Sequence, residues 1–266
     1  MSDRSRIEST FADSTLTSSK AELDYRPVAL MPDVKVLKVG GQSIMDRGRK
    51  ALFPILDELA AAKDKHKLLV CCGGGTRARH IYSVASDLEL PTGVLAALGG
   101  YVPRQNARML QMLLAKHGGI FMLHDDFEKL PLYFRLGCIP IMTGMPPFAY
   151  WEKPAANGRI PQHRTDAGVF LSAEVLGSRR AIFVKDEDGL FTDDPKKNPK
   201  AEKIPRISAK ELLKSDLPDL VLERVVIEYL ARARFCTELQ IINGLERGML
   251  TRALEGEDVG TIITRD

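Results

Sequence analysis

Hydrophobic residues along the chain follow two patterns, short apolar runs and stripes at helical spacing. Segment 34–39 alternates apolar residues with lysines, segment 68–72 is apolar throughout, and both run into glycines. Leucine and isoleucine recur between 52 and 59 at i, i+3, i+4 and i+7, which predicts an amphipathic helix. The same patterns predict strands at 120–123, 138–142, 181–185, 239–243 and 260–264, helices at 76–88, 103–117, 165–176 and 221–234, and a long proline-containing loop at 145–164.

Apolar strands that alternate with helices predict an α/β protein with a mainly parallel sheet covered on both faces. Ligands of such sheets bind beyond the carboxyl ends of the strands. Three of the predicted strands end there in glycine-rich or acidic sequence. We therefore expect a functional site at this edge.

Composition narrows the class of protein. The 266 residues are 44% hydrophobic and 27% charged, as is typical of a globular protein, and they suit one large α/β unit or two lobes that share a sheet. The net charge of +3 is spread along the chain, which argues against a nucleic-acid-binding face. No apolar run of about 18 residues predicts a membrane span.

The N-terminal segment and the cysteines give further information on the class of protein. Residues 1–32 predict a flexible arm, and the start lacks the apolar core of a secretory signal. The four cysteines, Cys71, Cys72, Cys138 and Cys236, fit no CxxC pattern. We expect a reduced, cytoplasmic protein with its cysteines in the core.

Two glycine-containing segments are candidates for binding phosphate. At 38–43, Lys38 precedes Gly40, Gly41, Gln42 and Ser43, so a cation stands beside backbone N–H groups that no Cβ shields. At 73–79, Gly73, Gly74 and Gly75 lead into a helix with Arg77 and Arg79, which predicts an anion cradle. A dinucleotide fingerprint is a poor match here, and plain turns with surface cations remain alternatives.

Two later segments carry acidic groups. Thr165 is a candidate N-cap of its helix, and Asp166 in the first turn either favours the helix dipole or holds lysines and a metal in place. Segment 185–195 follows a strand with a lysine, four acids and a glycine, which suits a Mg–nucleotide site. A solvated acidic turn is the alternative, and the spacing is not that of an EF-hand.

Histidines and aromatics are less informative. The five histidines form no HxxxH or HExxH pair. Trp151 lies near Phe148 and Tyr150 in the long loop, where we expect an oligomer contact rather than a lid.

The order of these motifs resembles the amino-acid kinase family, in its uridylate kinase-like branch, over residues 33–264. That resemblance implies a three-layer αβα sandwich within a domain of residues 33–266, with Mg–ATP at the carboxyl ends of the strands. It implies that Asp166 orients Lys38, that Lys185 contacts phosphate and that Glu187 helps to hold Mg²⁺. The implied ATP-binding residues are Gly40, Gly41, Gln42, Ser43, Gly73, Gly74, Gly75, Asp188, Gly189, Phe191, Asp194 and Pro195, with Arg77 and Arg79 binding anions.

Five segments are similar to the bacterial molybdenum storage family, nearest to its alpha-type subunits: 40–49, 75–80, 145–147, 164–168 and 185–190. This resemblance implies ATP-dependent deposition of molybdate or tungstate as polyoxometalate clusters inside a hexamer, a trimer of dimers that includes a beta-type subunit. Whether the oligomer is homomeric stays open. His124 and His163 are candidate cluster ligands. Because the loop carries Phe148 to Trp151 instead of clustered histidines, we expect a histidine-richer partner or a different load.

Three functions remain in competition. Uridylate kinases pass almost directly from the strand-end glycine to the Thr-Asp helix, so the loop 145–164 favours storage. The alternatives are a uridylate kinase-like phosphotransferase, which converts UMP and ATP to UDP and ADP, and a scaffold that binds nucleotide without turnover.

Overall fold

The computed structural model describes residues 27–266 except 156–157, 196, 216 and 218–219. Its helices are α1 (Arg49–Ala62), α2 (Gly75–Asp87), α3 (Thr92–Leu113), α4 (Leu130–Arg135), α5 (Thr165–Leu176), α6 (Ala209–Lys214), α7 (Arg224–Leu230) and α8 (Met249–Leu254). Its strands are β1 (Val34–Val39), β2 (Lys67–Cys72), β3 (Gly119–Phe121), β4 (Ile139–Thr143), β5 (Arg180–Lys185), β6 (Leu190–Phe191), β7 (Lys203–Ile204), β8 (Arg206–Ser208), β9 (Glu238–Asn243) and β10 (Thr261–Thr264). Short 3₁₀ turns join several of these elements.

Within the described residues, eight strands form one sheet in the order β3-β4-β2-β1-β5-β9-β10-β8. All neighbouring pairs are parallel except β9 and β10. Strands β6 and β7 form a separate antiparallel pair that branches off after β5. The predicted α/β class with a mainly parallel sheet is confirmed.

Helices cover the sheet on both faces, as the unbroken apolar strands require. One core cluster holds α5, α7 and the residues of β1 at 34 and 36, and the other holds α1, α3 and the residues of β1 at 37 and 39. This alternation along β1 is the two-residue period of a strand with both sides buried. The result is the predicted three-layer αβα sandwich.

Three neighbouring strands of the sheet, β1, β2 and β4, are each followed by a glycine whose N–H continues the hydrogen bonding between strands. Gly40 N–H donates to the carbonyl of Val184 at 3.0 Å, and Gly73 N–H donates to that of Val39 at 2.9 Å. Gly144 N–H donates in the same way to Cys72 at 2.9 Å. The chain therefore turns away from the sheet in register, and the loops begin side by side.

Helix α3 is longer than the sequence pattern predicts. A helix was expected over 103–117, yet it starts at Thr92 and continues through Pro103 to Leu113. Gly99 lies in its first half because a Cβ there would overlap the ring of Tyr82 on α2. Gly99 thus serves close packing between α2 and α3. The structure also contains α4, α6, α8 and β6 to β8, for which no pattern was identified.

The predicted arm at 1–32 lies mostly outside the described residues. Its last part is described: Met31 N–H donates to the carbonyl of Leu176 at 2.7 Å, and Ala29 packs on Gly177. The domain boundary at residue 32 therefore stays a prediction. No helix of the described part is long and apolar enough to cross a membrane.

The cysteines are free thiols, and three of the four lie in the core as expected. Cys138 is the exception, because it precedes β4 and is only half-buried. Burial raises the pKa of Cys71 to about 12 despite the nearby charge of Lys38. Burial likewise raises the pKa of Cys72 and of Cys236.

We predict that one thiol per native chain reacts with iodoacetamide at mildly alkaline pH, and that four react after denaturation. The accessible thiol is Cys138, because the buried thiols are shielded and stay protonated. Mass spectrometry of labelled peptides measures this. Labelling of the Cys138→Ser variant at a second site with comparable speed would contradict the prediction.

Candidate functional site

A pocket of about 510 Å³ opens where β1, β2 and β5 end. Its floor is built from the two glycine segments, and its walls come from α2, α5 and the loops after β5 and before α7. Twelve of the residues named from the sequence line it: Lys38, Gly40, Gly41, Gln42, Ser43, Gly73, Gly74, Gly75, Arg79, Asp166, Lys185 and Glu187.

The strand period explains why two lysines meet in this pocket. On β1, Val34 and Val36 face the α5 side of the sheet, so Lys38 points to the same side. On β5, Ala181 and Phe183 face that side, which directs Lys185 there as well. On each strand the lysine follows two buried apolar residues that face the same side of the sheet. The two strands are adjacent.

Asp166 lies between these two lysines. Its Oδ1 accepts a hydrogen bond from Lys38 Nζ and lies 3.4 Å from Lys185 Nζ. The side chains of Asp166 and Lys38 are only 6% and 5% exposed. This contact agrees with the orienting role that the family resemblance implies for Asp166, although the catalytic role itself stays a prediction.

The charges of the three groups depend on one another. Burial would raise the pKa of Asp166, but the charges of Lys185 and Lys38 together outweigh it and hold the pKa of this carboxyl below its ordinary value. Burial lowers the pKa of Lys185, and the charge of Asp166 opposes that shift. Asp166 is therefore ionised at neutral pH and faces both lysines in a poorly solvated place.

Helix α5, which carries Asp166, is capped by a residue that sequence reasoning missed. Glu223 accepts hydrogen bonds from the backbone N–H groups of Arg164 at 3.0 Å, Asp166 at 3.0 Å and Ala167 at 3.1 Å. The expected cap, Thr165, is instead the first helical residue and makes no capping bond. The prediction that Thr165 caps the helix was wrong, because the carboxylate that accepts these N–H groups belongs to a residue 57 positions away along the chain.

Glu223 is buried and carries a perturbed pKa. Burial raises the pKa of its carboxyl, and the negative charge of Asp166 raises it further. Its own N–H donates to Asp166 Oδ2 at 3.3 Å, so the two acidic residues hold each other's segments in place. The start of α5 and the segment before α7 are thereby fixed together at the pocket wall.

The two glycine segments touch through their backbones. A Cβ on Gly41 would overlap the backbone nitrogen of Gly75, and one on Gly73 would come within 2.5 Å of the backbone nitrogen of Gly41. No other residue allows this approach, and it leaves backbone N–H groups near the pocket floor.

Asn106 of α3 secures the second glycine segment and gave no sequence signal. It is fully buried, and its Nδ2 donates to the carbonyls of Gly73 at 2.6 Å and Gly74 at 3.3 Å. Arg77 donates to its Oδ1. Of the two predicted anion-binding arginines, Arg77 thus braces Asn106 outside the pocket lining, whereas Arg79 lines the pocket.

The acidic side of the pocket is formed by the loop after β5. Asp186 pairs with Arg47 from the turn after β1, and Glu187 lines the pocket beside it. Within the described ranges no group of three or more His, Cys, Asp or Glu is arranged to hold a metal ion. The carboxylate of Glu187 is a suitable oxygen ligand for Mg²⁺, and its role in holding the ion stays a prediction.

The remaining predicted ATP-binding residues are not part of the pocket lining. Asp188 accepts from Asn243 Nδ2 at 2.8 Å, and Gly189 stands against Thr261, where a Cβ would overlap the hydroxyl. Phe191 belongs to β6, and Asp194 and Pro195 follow in the loop toward β7. Their contact with nucleotide stays a prediction.

Neither candidate histidine lines the pocket. Nε2 of His124 lies 2.7 Å from the carbonyl of Met145, and burial lowers its pKa. His163 is 2% exposed, with one ring nitrogen 2.7 Å from Glu152 and the other bonded to Tyr229. This histidine therefore ties the loop 145–164 to α7, and its role as a cluster ligand stays a prediction.

We predict that Asn106→Leu lowers the free energy of unfolding by about 1 to 3 kcal/mol, because it leaves buried carbonyls of the glycine segment without donors. Urea denaturation measures the change. Arg104→Leu, at an exposed position of the same helix, is the matched control and should stay within about 0.5 kcal/mol of wild type. Equal losses in both variants would contradict the bracing role of Asn106.

Comparisons with known proteins agree with this architecture. Residues 33–229 match the amino acid kinase family. The molybdenum storage protein subunit beta of Azotobacter vinelandii is 50% identical over 247 residues, which is 93% of this chain and 90% of that protein. The uridylate kinase of Thermococcus kodakarensis is 27% identical over 86% of this chain and 98% of its own length. The likeness to alpha-type subunits in particular stays a prediction.

Solved structures show the same fold. UMP kinase from Bacillus anthracis superposes with a TM-score of 0.69 at 20% identity, covering 88% of this chain and 96% of its own. Uridylate kinase from Archaeoglobus fulgidus gives 0.64 at 23% identity, covering 86% of this chain and all of that one. The chain therefore belongs to the amino acid kinase family and, within it, is a homologue of a molybdenum storage protein subunit.

Proposed function

We propose that the chain is a subunit of an oligomeric store for molybdate or tungstate that binds Mg–ATP in the pocket at the sheet edge and deposits the oxoanion as polyoxometalate clusters. The observation that carries the proposal is 50% identity to a molybdenum storage protein subunit over 93% of the chain. A hexamer, built as a trimer of dimers with a homologous subunit, is part of the proposal. So are a cytoplasmic location and ATP hydrolysis coupled to loading.

The pocket supports the nucleotide half of this proposal by its chemistry. Lys38 and Lys185 offer cations to phosphoryl oxygens, and the glycine segments let the backbone approach them. Phosphoryl transfer depends mainly on positioning and charge neutralisation, so a site of lysines and glycines suits it. Bound Mg²⁺ would add charge neutralisation, and the residues here would orient the phosphates beside it.

A uridylate kinase-like phosphotransferase is the second candidate, supported by the uridylate kinases among the relatives. The identity is higher to the storage subunit, at 50% against 27%. A nucleotide-binding scaffold without turnover is the third. Loading and turnover assays separate these functions.

We expect the purified assembly, incubated with Mg–ATP and molybdate, to retain several molybdenum atoms per chain after gel filtration, measured by plasma mass spectrometry. The rate of ADP release should rise when molybdate is added and should not change when UMP is added. Sulfate in place of molybdate is the control, because it has the same shape and charge but does not condense. Background metal in an assembly that still binds ATP, or ADP release that requires UMP, would contradict storage.

We expect Lys38→Ala to weaken ATP binding by about 10- to 100-fold, because it removes a buried cation from the phosphate site. Molybdenum content should fall to background with it. Lys35→Ala, at the other end of β1, is the matched control and should keep both properties. Calorimetry measures the affinity for ATP, and metal analysis measures the molybdenum content. Weaker ATP binding with unchanged molybdenum content would favour the nucleotide-binding scaffold.

A further inference from the structure

Val221 lies at the pocket wall in a backbone conformation that its side chain disfavours. Its φ angle is 58°, in the left-handed region, where a residue with a branched Cβ is rarely found. Two other non-glycine residues of the described part have a positive φ, Glu89 and Ala149, and neither is β-branched or lines the pocket. Backbone strain of this kind persists only where the surrounding contacts hold it.

The two residues that follow Val221 are fixed in place. The side chain of Leu222 is buried, and the N–H of Glu223 donates to Asp166 Oδ2 at 3.3 Å. The carboxylate of Glu223 accepts the three N–H groups at the start of α5. The chain that leaves Val221 is therefore held from this side.

The carbonyl of Val221 is held by Lys185. The Nζ of this lysine donates to the carbonyl at 3.1 Å and lies 3.4 Å from Asp166 Oδ1. The first distance is that of an ordinary N–H···O hydrogen bond, and the second is longer than usual. The side chain of Lys185 is 14% exposed, against 5% for Lys38. Lys185 is thus the more accessible of the two lysines, and its shorter hydrogen bond goes to a neutral acceptor.

A phosphate in the pocket would compete with this carbonyl for the lysine. Hydrogen bonds between an ammonium group and a charged oxygen are about twice as strong as hydrogen bonds between neutral groups. When Lys185 turns to a phosphate oxygen, the carbonyl of Val221 loses this donor, and with it a contact that maintains the strained φ angle. The strain that is then released would add to the affinity for the phosphate.

We propose that Val221 is a positioning residue for nucleotide binding. Its carbonyl holds Lys185 at the pocket wall until a phosphate takes this lysine, and the strained backbone of Val221 then relaxes. The inference rests on the proposed function for the identity of the ligand, a nucleoside triphosphate, and it adds to that function a source of binding free energy.

Calorimetry of the full-length protein with Mg²⁺ and a non-hydrolysable ATP analogue tests this role. Val221→Gly keeps the carbonyl but removes the Cβ that makes a positive φ costly. We expect it to weaken binding of the analogue by about 5- to 100-fold, because the free protein no longer stores the strain that binding releases. Val221→Ala loses the same methyl groups but keeps the Cβ, so its affinity should lie closer to wild type. Glu89→Gly removes a Cβ at the same φ of 58°, at an exposed position outside the pocket lining, and should leave the affinity unchanged.

A double-mutant cycle with Lys185→Met separates positioning from a general effect on the fold. Without the lysine the carbonyl has nothing to release, so Val221→Gly should weaken binding no further in this background. Equal losses with and without Lys185 would overturn the proposal. Wild-type affinity in Val221→Gly, or equal losses in Val221→Gly and Val221→Ala, would overturn it as well.

The same measurements distinguish this role from the proposed function. A wild-type protein that does not bind the analogue would contradict both the role of Val221 and nucleotide binding in the pocket. The expected losses in a protein that binds the analogue but accumulates no molybdenum would contradict storage alone and support the role of Val221.

Discussion

The structure of the site depends on one buried carboxylate between two ammonium groups. Asp166 contacts both Lys38 and Lys185, and the three side chains come from a helix and two adjacent strands. Breaking such a buried arrangement by removing one partner costs about 3 to 5 kcal/mol, because a charge is left uncompensated. Because this cost is large, the backbone around Asp166 has to be held firmly, and the hydrogen bonds between Glu223 and the start of α5 do so. A phosphate that entered the pocket would meet lysines that Asp166 already orients.

Glu223 extends this constraint to the rest of the pocket wall. It caps α5 and lies next to Asp166, although like charges repel and its pKa is raised by burial and by that neighbour. Hydrogen bonds from three backbone N–H groups offset the free-energy cost of burying the Glu223 carboxylate beside Asp166. Through His163 and its contacts with Glu152 and Tyr229, the loop 145–164 is tied to the same wall. The loop from which the sequence analysis predicts storage rather than kinase function is therefore attached to the wall of the pocket.

Much of the fold could be predicted because the strands are short and apolar throughout. The strands at 34–39, 68–72 and 181–185 and the helix at 165–176 lie where their patterns place them, within a residue or so. The glycines and lysines among the twelve pocket residues follow from the same logic, since the parallel strands bring these ends to one edge. Position at the end of a strand was enough to predict the edge of the sheet.

The rest depends on contacts that local sequence does not encode. Asn106 acts on glycines 33 residues away, and Glu223 caps a helix 57 residues away. Neither has a motif around it. The partners of His163 are 11 and 66 residues distant, so the way in which it ties the loop 145–164 to α7 could not be predicted from its neighbours. Helix α3 starts at Thr92 rather than at the predicted residue 103, and Gly99 in this added part packs against Tyr82 of α2.

The central claim is that this kinase-like fold serves to store an oxoanion. Anomalous scattering at the molybdenum edge, recorded from crystals of the assembly loaded with molybdate and Mg–ATP, tests it most directly. The account predicts nucleotide density in the pocket beside Lys38 and Lys185, together with groups of strong anomalous peaks enclosed by the oligomer. Well-defined nucleotide without any anomalous peak would contradict it.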